Sequence, residues 1–277
     1  MFNLKNTNPF ADIKKEQLAY GTSMKSKAYG VKIETPLEED RDWAEVGVVS
    51  DNYLLVPNKD MVNTVESILD ESEYNFNEGK TFWNGKVFSR TYLTDDVQEE
   101  VTVGDPVRLG IQMWNSYDGS VGGALSPFVE RLICNNGMTS KKIFSRHRFK
   151  HTEGNENWNE EFEKVLSTVN DSRHQLVDFA RQAAKLTDIT VNVEHLQELR
   201  KNHLNHVSDG PFGQIMHSFL TRDEYQDHKA WDLLNAGTDL FWHRKTQTVS
   251  DFNNNEAFVD GMLNWSDTVH TVNQLMN

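Results

Sequence analysis

The spacing of apolar residues divides the chain into a first half of strands around one helix and a second half of helices. Asn58 stands where an N-cap belongs, and the apolar residues after it follow the i, i+3, i+4, i+7 spacing of one helix face. They are Met61, Val62, Val65, Ile68 and Leu69. This spacing predicts a helix that ends near Ser72. Before it, β-branched and aromatic residues from Trp43 to Pro57 flank a Ser-Asp-Asn turn signal, which predicts two short strands.

Two dipeptides predict the turns of an antiparallel meander. Asn84-Gly85 separates the strand-like runs GKTFW and KVFSRTYL, and it suits a type I′ turn because both central residues of that turn need positive φ. Asp118-Gly119 predicts a second turn, after a strand from Val107 to Trp114, and Gly122-Gly123 then predicts a bulge or a close backbone approach. Between the two hairpins we expect an acidic loop or hairpin end containing Asp95, Asp96, Glu99 and Glu100.

The second half of the chain has helical periodicity. From Asn157 to about Leu186 the apolar residues predict one long helix, or two helices with a break near Asn170. Thr221 and Glu224 fit a capping box for a later helix, and the tract DFNNNEA at 251–257 is typical of a loop. We therefore expect an α+β fold, with an antiparallel β-meander and hairpin sheet packed on helices and a largely helical C-terminal half.

Three regions follow from this division. They are an irregular N-terminal arm (1–42), an α+β core domain (43–152) and a helical C-terminal region packed on the core (153–277). The arm and the residues just after it include an acidic cluster from 34 to 45, namely Glu34, Glu38, Glu39, Asp40, Asp42 and Glu45. These acids belong either to a solvated tail or to an arm that docks on a neighbouring subunit or another protein partner.

Composition narrows the classes of function. The 277 residues carry a net charge of −14, which repels duplex DNA and anionic membranes at long range. The single cysteine excludes an intrachain disulfide and fits a reducing compartment. The N-terminus lacks the apolar stretch of a secretory signal, and no apolar run approaches the roughly 20 residues of a membrane helix. We expect a cytoplasmic protein of the bacterial host that does not enter a membrane.

One basic run is the main candidate for binding. Between residues 140 and 151 there are five cations and no acid, with phenylalanines between them. The run contains Lys141, Lys142, Phe144, Arg146, Arg148, Phe149 and Lys150. Cations that hold phosphates and aromatic rings that stack on bases are the combination used by single-strand binders, and Arg90 on the first hairpin would add a cation. The alternative is a solvated face whose two phenylalanines point into the core.

The sequence contains little that indicates a catalytic site. His203 and His206 are three residues apart, but the segment has no glutamate placed as in HExxH, so a surface helix is favoured over a metal site. The chain has no GxSxG, P-loop or dinucleotide motif. Cys134 follows Leu132 and Ile133 and is typical of a buried small residue. We predict no catalytic residue, no metal and no cofactor.

Two motifs resemble a known family. The first pairs Asn115-Ser116-Tyr117-Asp118-Gly119-Ser120 with Arg131-Leu132-Ile133-Cys134-Asn135-Asn136-Gly137-Met138, and the second is the segment Ala230–Arg244. They are similar to the NS-x-DGS, R-L-x-C-x-N-G-M and W-x-L-x-N-A-x-T motifs of a phage/plasmid-like family of unknown function, number 932. Phe241, Trp242 and His243 replace that family's more acidic continuation. From the residues themselves, Asn115, Asp118, Gly119, Asn136 and Gly137 are assigned to turns around the site.

The resemblance implies a mobile-element setting but no activity. The order of elements is also similar to the core of single-strand annealing proteins of the eukaryotic Rad-fifty-two and phage Red-beta types. The leading hypothesis is a phage-type single-stranded DNA-binding and annealing protein that acts as a homo-oligomer without a cofactor. The alternatives are an acidic host-takeover or counter-defence protein that binds a host protein and, less favoured, a metal-dependent nuclease that uses the acidic loop and the histidines.

Overall fold

The computed structural model of the protein describes residues 4–20, 24–36, 41–134, 136–138, 144, 146–243 and 249–276. The strands are β1 (Ile13–Tyr20), β2 (Met24–Pro36), β3 (Arg41–Ser50), β4 (Asn77–Trp83), β5 (Val87–Thr102), β6 (Asp105–Ser116), β7 (Gly123–Arg131), β8 (Asn136–Met138) and β9 (His147–Phe149). The helices are α1 (Asn58–Asp70), α2 (Trp158–Asp188), α3 (Val193–Glu198), α4 (Asp209–Thr221), α5 (Ala230–Trp242) and α6 (Val249–Met276).

The strands form two antiparallel sheets, and the second half of the chain is helical, so the predicted α+β class is confirmed. One sheet has the order β1-β2-β3. In the other, β4 to β8 lie side by side in sequence order, and β9 pairs with β7. Within the described ranges, no helix is long and apolar enough to cross a membrane.

The chain forms two compact units, and each draws on three separate stretches. Unit 1 consists of Met1–Leu93, Ile111–Ser126 and Arg146–Asn170. Unit 2 consists of Thr94–Gly110, Pro127–Ser145 and Asp171–Asn277. The segment 43–152, predicted as one core domain, is therefore shared by both units, because β5, β6 and β7 each contribute residues to both.

Most of the predicted N-terminal arm is a sheet in unit 1 rather than an irregular segment. β1 and β2 pair antiparallel, and β2 pairs antiparallel with β3. Val31 and Ile33 are fully buried on the inner face, where they belong to the same apolar cluster as Tyr117. Lys32 donates to Glu16 across the strands at 2.5 Å, with both side chains partly exposed. The polar residues that suggested a tail are thus the solvent face of a sheet.

Several acids that the sequence placed in an arm or a loop lie on strands. Glu34 belongs to β2, and Asp42 and Glu45 belong to β3; Glu38, Glu39 and Asp40 are outside the described residues. Asp95, Asp96, Glu99 and Glu100 all lie within β5, so they do not form a loop; Glu99 and Glu100 lie close to the end of the hairpin between β5 and β6, the other predicted alternative. On the neighbouring strand, Arg108 of β6 donates to Asp95 at 2.6 Å.

The predicted helix and hairpin both form in unit 1, with different details at their ends. Pro57 takes the N-cap position of α1, and the buried Asn58 is its first helical residue. β4 and β5 form the predicted hairpin. Gly85 has a φ of +94°, but Asn84 does not have a positive φ, so a type I′ turn is not formed. Instead the Asn84 side-chain oxygen accepts hydrogen bonds from the backbone N–H groups of Lys86 and Val87.

The helices of the second half differ in extent from those that the sequence predicts. The long helix is continuous, since α2 runs without a break from Trp158 to Asp188. The tract DFNNNEA lies inside α6 rather than in a loop, and its Phe252 and Asn255 are buried. Thr221 ends α4 and starts no helix. The N-cap of α5 is Lys229, whose backbone N–H donates to the carboxylate of Asp232 at 2.9 Å.

Candidate nucleic-acid interface

From Arg146 to Lys150 the basic run lies in unit 1 and contains strand β9. This strand pairs antiparallel with the first residues of β7. Side chains alternate along a strand, so Arg148 and the following Lys150 point away from the face on which Phe149 is buried. Both cations are exposed, and neither forms an ion pair with a carboxylate of the described residues. They are the two cations of the run that the structure presents to solvent.

Phe149 is held in the core of unit 1. It is 4% exposed, and its ring centroid lies 5.5 Å from those of both Trp158 and Phe162 on α2. A Cβ on Gly123 would overlap the ring, and a Cβ on Gly122 would lie 2.7 Å from the Phe149 carbonyl oxygen. The close approach predicted for the paired glycines is therefore where β9 and its phenylalanine pack.

Phe144 is likewise buried, in unit 2. It is 3% exposed, and its ring lies 6.3 Å from Phe179 of α2. The predicted stacking of Phe144 and Phe149 on bases requires exposed rings. Both rings are buried, so neither is available to a base. Lys141 and Lys142 lie outside the described residues.

Two further cations of the predicted site are engaged within unit 1. Arg90 is 8% exposed and lies between Glu66 and Glu78, with N–O distances of 3.3 and 3.2 Å. Its guanidinium is therefore not available to a phosphate, contrary to the prediction. Arg146 is half-buried and already interacts within the protein. Burial lowers the pKa of His147 below its ordinary 6.5, so that this imidazole adds no positive charge at neutral pH.

The motif at 115–120 forms a turn at Asp118-Gly119, and its first residue, Asn115, makes buried hydrogen bonds. Asp118 accepts a hydrogen bond from the Ser120 N–H at 3.0 Å, and Gly119 has a φ of +73°, as a turn at this point requires. Asn115, by contrast, is a fully buried strand residue rather than a turn residue. Its Nδ2 donates to the Val56 carbonyl at 3.0 Å and to Asn58 Oδ1 at 2.8 Å, which fixes the start of α1.

The residues predicted as a second turn form strand β8 in unit 2. Asn136 is fully buried; its Nδ2 donates to the Asn235 carbonyl at 3.2 Å, and its Oδ1 is 2.9 Å from His243 Nε2. Gly137 lies against the Trp242 ring, which a Cβ would overlap. The prediction that Asn136 and Gly137 form a turn is therefore wrong. Both residues join β8 to α5, and position 137 needs glycine because the indole packs against it.

A buried ionic cluster in unit 2 joins the two family-like segments. Arg131 donates twice to Asp105, at 2.7 and 2.6 Å, and the indole N–H of Trp231 donates to the same carboxylate at 2.8 Å. The Arg131 guanidinium lies over the Trp231 ring, 5.5 Å from its centroid, and donates to Cys134 Sγ at 3.7 Å. Burial raises the pKa of the Cys134 thiol, which keeps it protonated.

Asp105 was not predicted as a partner of Arg131, since it stands in an Asp-Pro dipeptide just before the strand predicted from Val107 and has no local pattern that marks it. The signal that could have found it is the arginine of the motif, which needs a carboxylate if it is buried. The histidines of the second half form no comparable cluster. Within the described part of the chain, no three His, Cys, Asp or Glu side chains come together as a metal site. His195, for example, packs edge-on against Trp265 at 5.3 Å.

Fold and site define an α+β protein whose two sequence motifs contribute buried polar contacts and whose basic run places exposed Arg148 on the short strand β9, with exposed Lys150 directly after it. The model of the family described as a domain of unknown function, DUF932, matches residues 45–260. The chain belongs to this family, which confirms the resemblance of its motifs. Comparison with curated proteins and with solved structures gave no significant match.

Proposed function

We propose that the protein binds single-stranded DNA through phosphate contacts of the basic run and promotes annealing as a homo-oligomer in a mobile-element setting. The observation that carries this proposal is the exposure of Arg148 and Lys150, which have no carboxylate partner among the described residues. In a chain of net charge −14, two adjacent unpaired cations in a run without acids are a local site for a polyanion.

Burial of the phenylalanines changes the expected mode of binding. With Phe144 and Phe149 in the core, the site contacts phosphates and offers no ring to the bases. Base stacking contributes about 1–3 kcal/mol per base in proteins that use it, and that contribution is missing here. A protein that holds the backbone and leaves the bases uncovered suits annealing, because the bases stay free to pair with a second strand.

Replacing Arg148 and Lys150 together by alanine should reduce both the affinity for single strands and its dependence on salt. Arg146 is already engaged within the protein, so four cations of the run remain for phosphates. If all four contact phosphates, log affinity falls with log salt with a slope of about −2.8, from about −0.7 per contact. Loss of two contacts changes this slope to about −1.4. Fluorescence anisotropy with a labelled oligonucleotide over a salt series measures both slopes.

The matched control is Lys59→Ala with Lys86→Ala, which removes the same charge from two exposed positions of unit 1. It should leave the slope near −2.8, or about four contacts. Absence of binding at low salt would contradict the proposal and favour the acidic protein-interaction alternative, which a pull-down from host extract then tests. Where binding occurs, strand annealing by fluorescence transfer and the oligomer mass test the rest of the proposal.

A further inference from the structure

A groove of about 480 Å³ in unit 1 lies between α1 and the first turns of α2. This volume is within the range of about 300–1,000 Å³ that is usual for small-molecule sites. The α1 wall includes Asn63, Ser67, Ile68 and Glu71, and the α2 wall includes Asn159 and Glu163. The groove is separate from β9, Arg148 and Lys150, none of which lines it.

The lining combines charged, polar and apolar surfaces in one groove. Glu71 and Glu163 are exposed carboxylates, one on each helix, and neither forms an ion pair with a described residue. Asn63 and Asn159 add amide groups, and Ser67 adds a hydroxyl. Ile68, which is 7% exposed, supplies the apolar surface. The groove therefore offers acceptors on both walls and a methyl-bearing surface.

The end of α1 lacks a positive charge. The last turn of an α-helix exposes carbonyl groups with partial negative charge, and lysine or arginine usually compensates them. In α1 the last turn contains no basic residue, and the helix ends with Asp70, followed by Glu71 as the C-cap. Ser72 donates to only one of these carbonyls, that of Leu69, at 2.7 Å. A cation in the groove beside Glu71 would compensate both the carboxylate and the helix end.

We propose that this groove binds a linear aliphatic polyamine. Its ammonium groups donate to Glu71 and Glu163, because each ammonium is a point charge with several N–H donors and suits carboxylate and amide oxygens. Its methylene chain lies against Ile68, as the aliphatic stem of a lysine does on apolar surfaces. A compact hydrated ion would satisfy the carboxylates but would leave the apolar surface unused.

The test is isothermal titration of the full chain with spermidine, without nucleic acid and at about 0.15 M salt, where the Debye length is about 8 Å and distant charges contribute little. The expected result is saturable binding with one site per chain. Glu71→Gln with Glu163→Gln should weaken it at least about tenfold, because two charge contacts are lost. Octane-1,8-diol, which has a methylene chain but no ammonium, should not bind.

The matched control is Glu73→Gln with Glu160→Gln, which changes charge equally at exposed positions that do not line the groove. Its affinity for spermidine should stay within about twofold of the unmodified chain, since surface charge pairs contribute little. An equal loss in both double variants, or no saturable binding, would overturn the proposal. So would displacement of spermidine by an equal concentration of Mg²⁺. Alanines at Arg148 and Lys150 leave this binding unchanged, so its outcome is independent of the proposed DNA binding.

Discussion

Replacing Asp105 by alanine should lower the free energy of unfolding by about 3–5 kcal/mol, the range for breaking a buried ion pair by removing one partner. Asp105 is 7% exposed and accepts hydrogen bonds from both Arg131 and Trp231. Alanine leaves a guanidinium and an indole N–H without their acceptor, and a charge left unpaired in the interior carries most of this cost. Urea unfolding followed by tryptophan fluorescence measures the change.

The control for Asp105 is Asp95→Ala in the same unit. Asp95 also pairs with an arginine, Arg108, but its side chain is 63% exposed, so the expected loss is only about 0–1 kcal/mol. Asp105→Asn should lie between the two alanine variants, since the amide oxygen still accepts one hydrogen bond. If Asp105→Ala and Asp95→Ala lose the same small amount, the cluster does not stabilise unit 2.

Acidification should destabilise the protein through His151, by about 3 kcal/mol between pH 6.5 and pH 4. Burial lowers the pKa of His151 from 6.5 to about 4, and Nδ1 lies 3.0 Å from the Leu54 carbonyl oxygen. The unfolded chain binds a proton near pH 6.5 and the folded chain does not, so stability is complete above pH 6.5 and falls as the pH approaches 4. The size follows from about two and a half pKa units at about 1.36 kcal/mol each.

The surroundings of His151 explain why the charged form is disfavoured. The imidazole is 6% exposed, stacks on Tyr53 at 5.0 Å and meets Phe149 edge-on at 5.0 Å. Its Nε2 is buried without a hydrogen-bond partner. His151→Asn keeps a donor for Leu54 and removes the titration, so its stability should be flatter with pH across this window. His174→Asn, at an exposed position of α2, is the control for loss of an imidazole. A pH dependence equal in all three proteins would contradict the assignment.

Strong local signals predicted elements well. The apolar spacing in α1 and the dipeptides Asn84-Gly85 and Asp118-Gly119 depend on neighbouring residues only, and the helix and both hairpins form. The region of β1 and β2 was predicted as an irregular arm because polar residues dominate its composition, although the alternation of buried Val31 and Ile33 with charged residues is the pattern of a half-buried strand. The tract with the asparagines inside α6 was predicted as a loop because asparagine has a weak helix preference. Tertiary packing, which buries Asn255, outweighs that preference.

The candidate site was predictable in part. The basic run could be recognised from the sequence because the rest of the chain is acidic. The pairing of Arg90 with Glu66 could not, because the two residues are distant in sequence. The inward position of Phe149 could have been predicted, because alternation puts it opposite Arg148 and Lys150. If those cations face solvent, the ring between them faces the interior. No such local pattern specifies the contact of Asn136 with Asn235, since it depends on the tertiary fold.

The division of each unit into three stretches has a consequence for folding during synthesis. All stretches of unit 1 have left the ribosome soon after residue 170, whereas unit 2 needs the helices that follow. Asp105 and its hydrogen-bond partner Trp231 are 126 residues apart in the sequence, and Gly137 and its partner Asn255 are 118 residues apart. Such distant pairs slow folding, because a long loop must close before the contact stabilises it. Until α5 is made, the Arg131 guanidinium lacks Trp231 and the Phe128 ring of β7 lacks Trp242, so the incomplete unit 2 exposes groups that are later covered and is prone to aggregation.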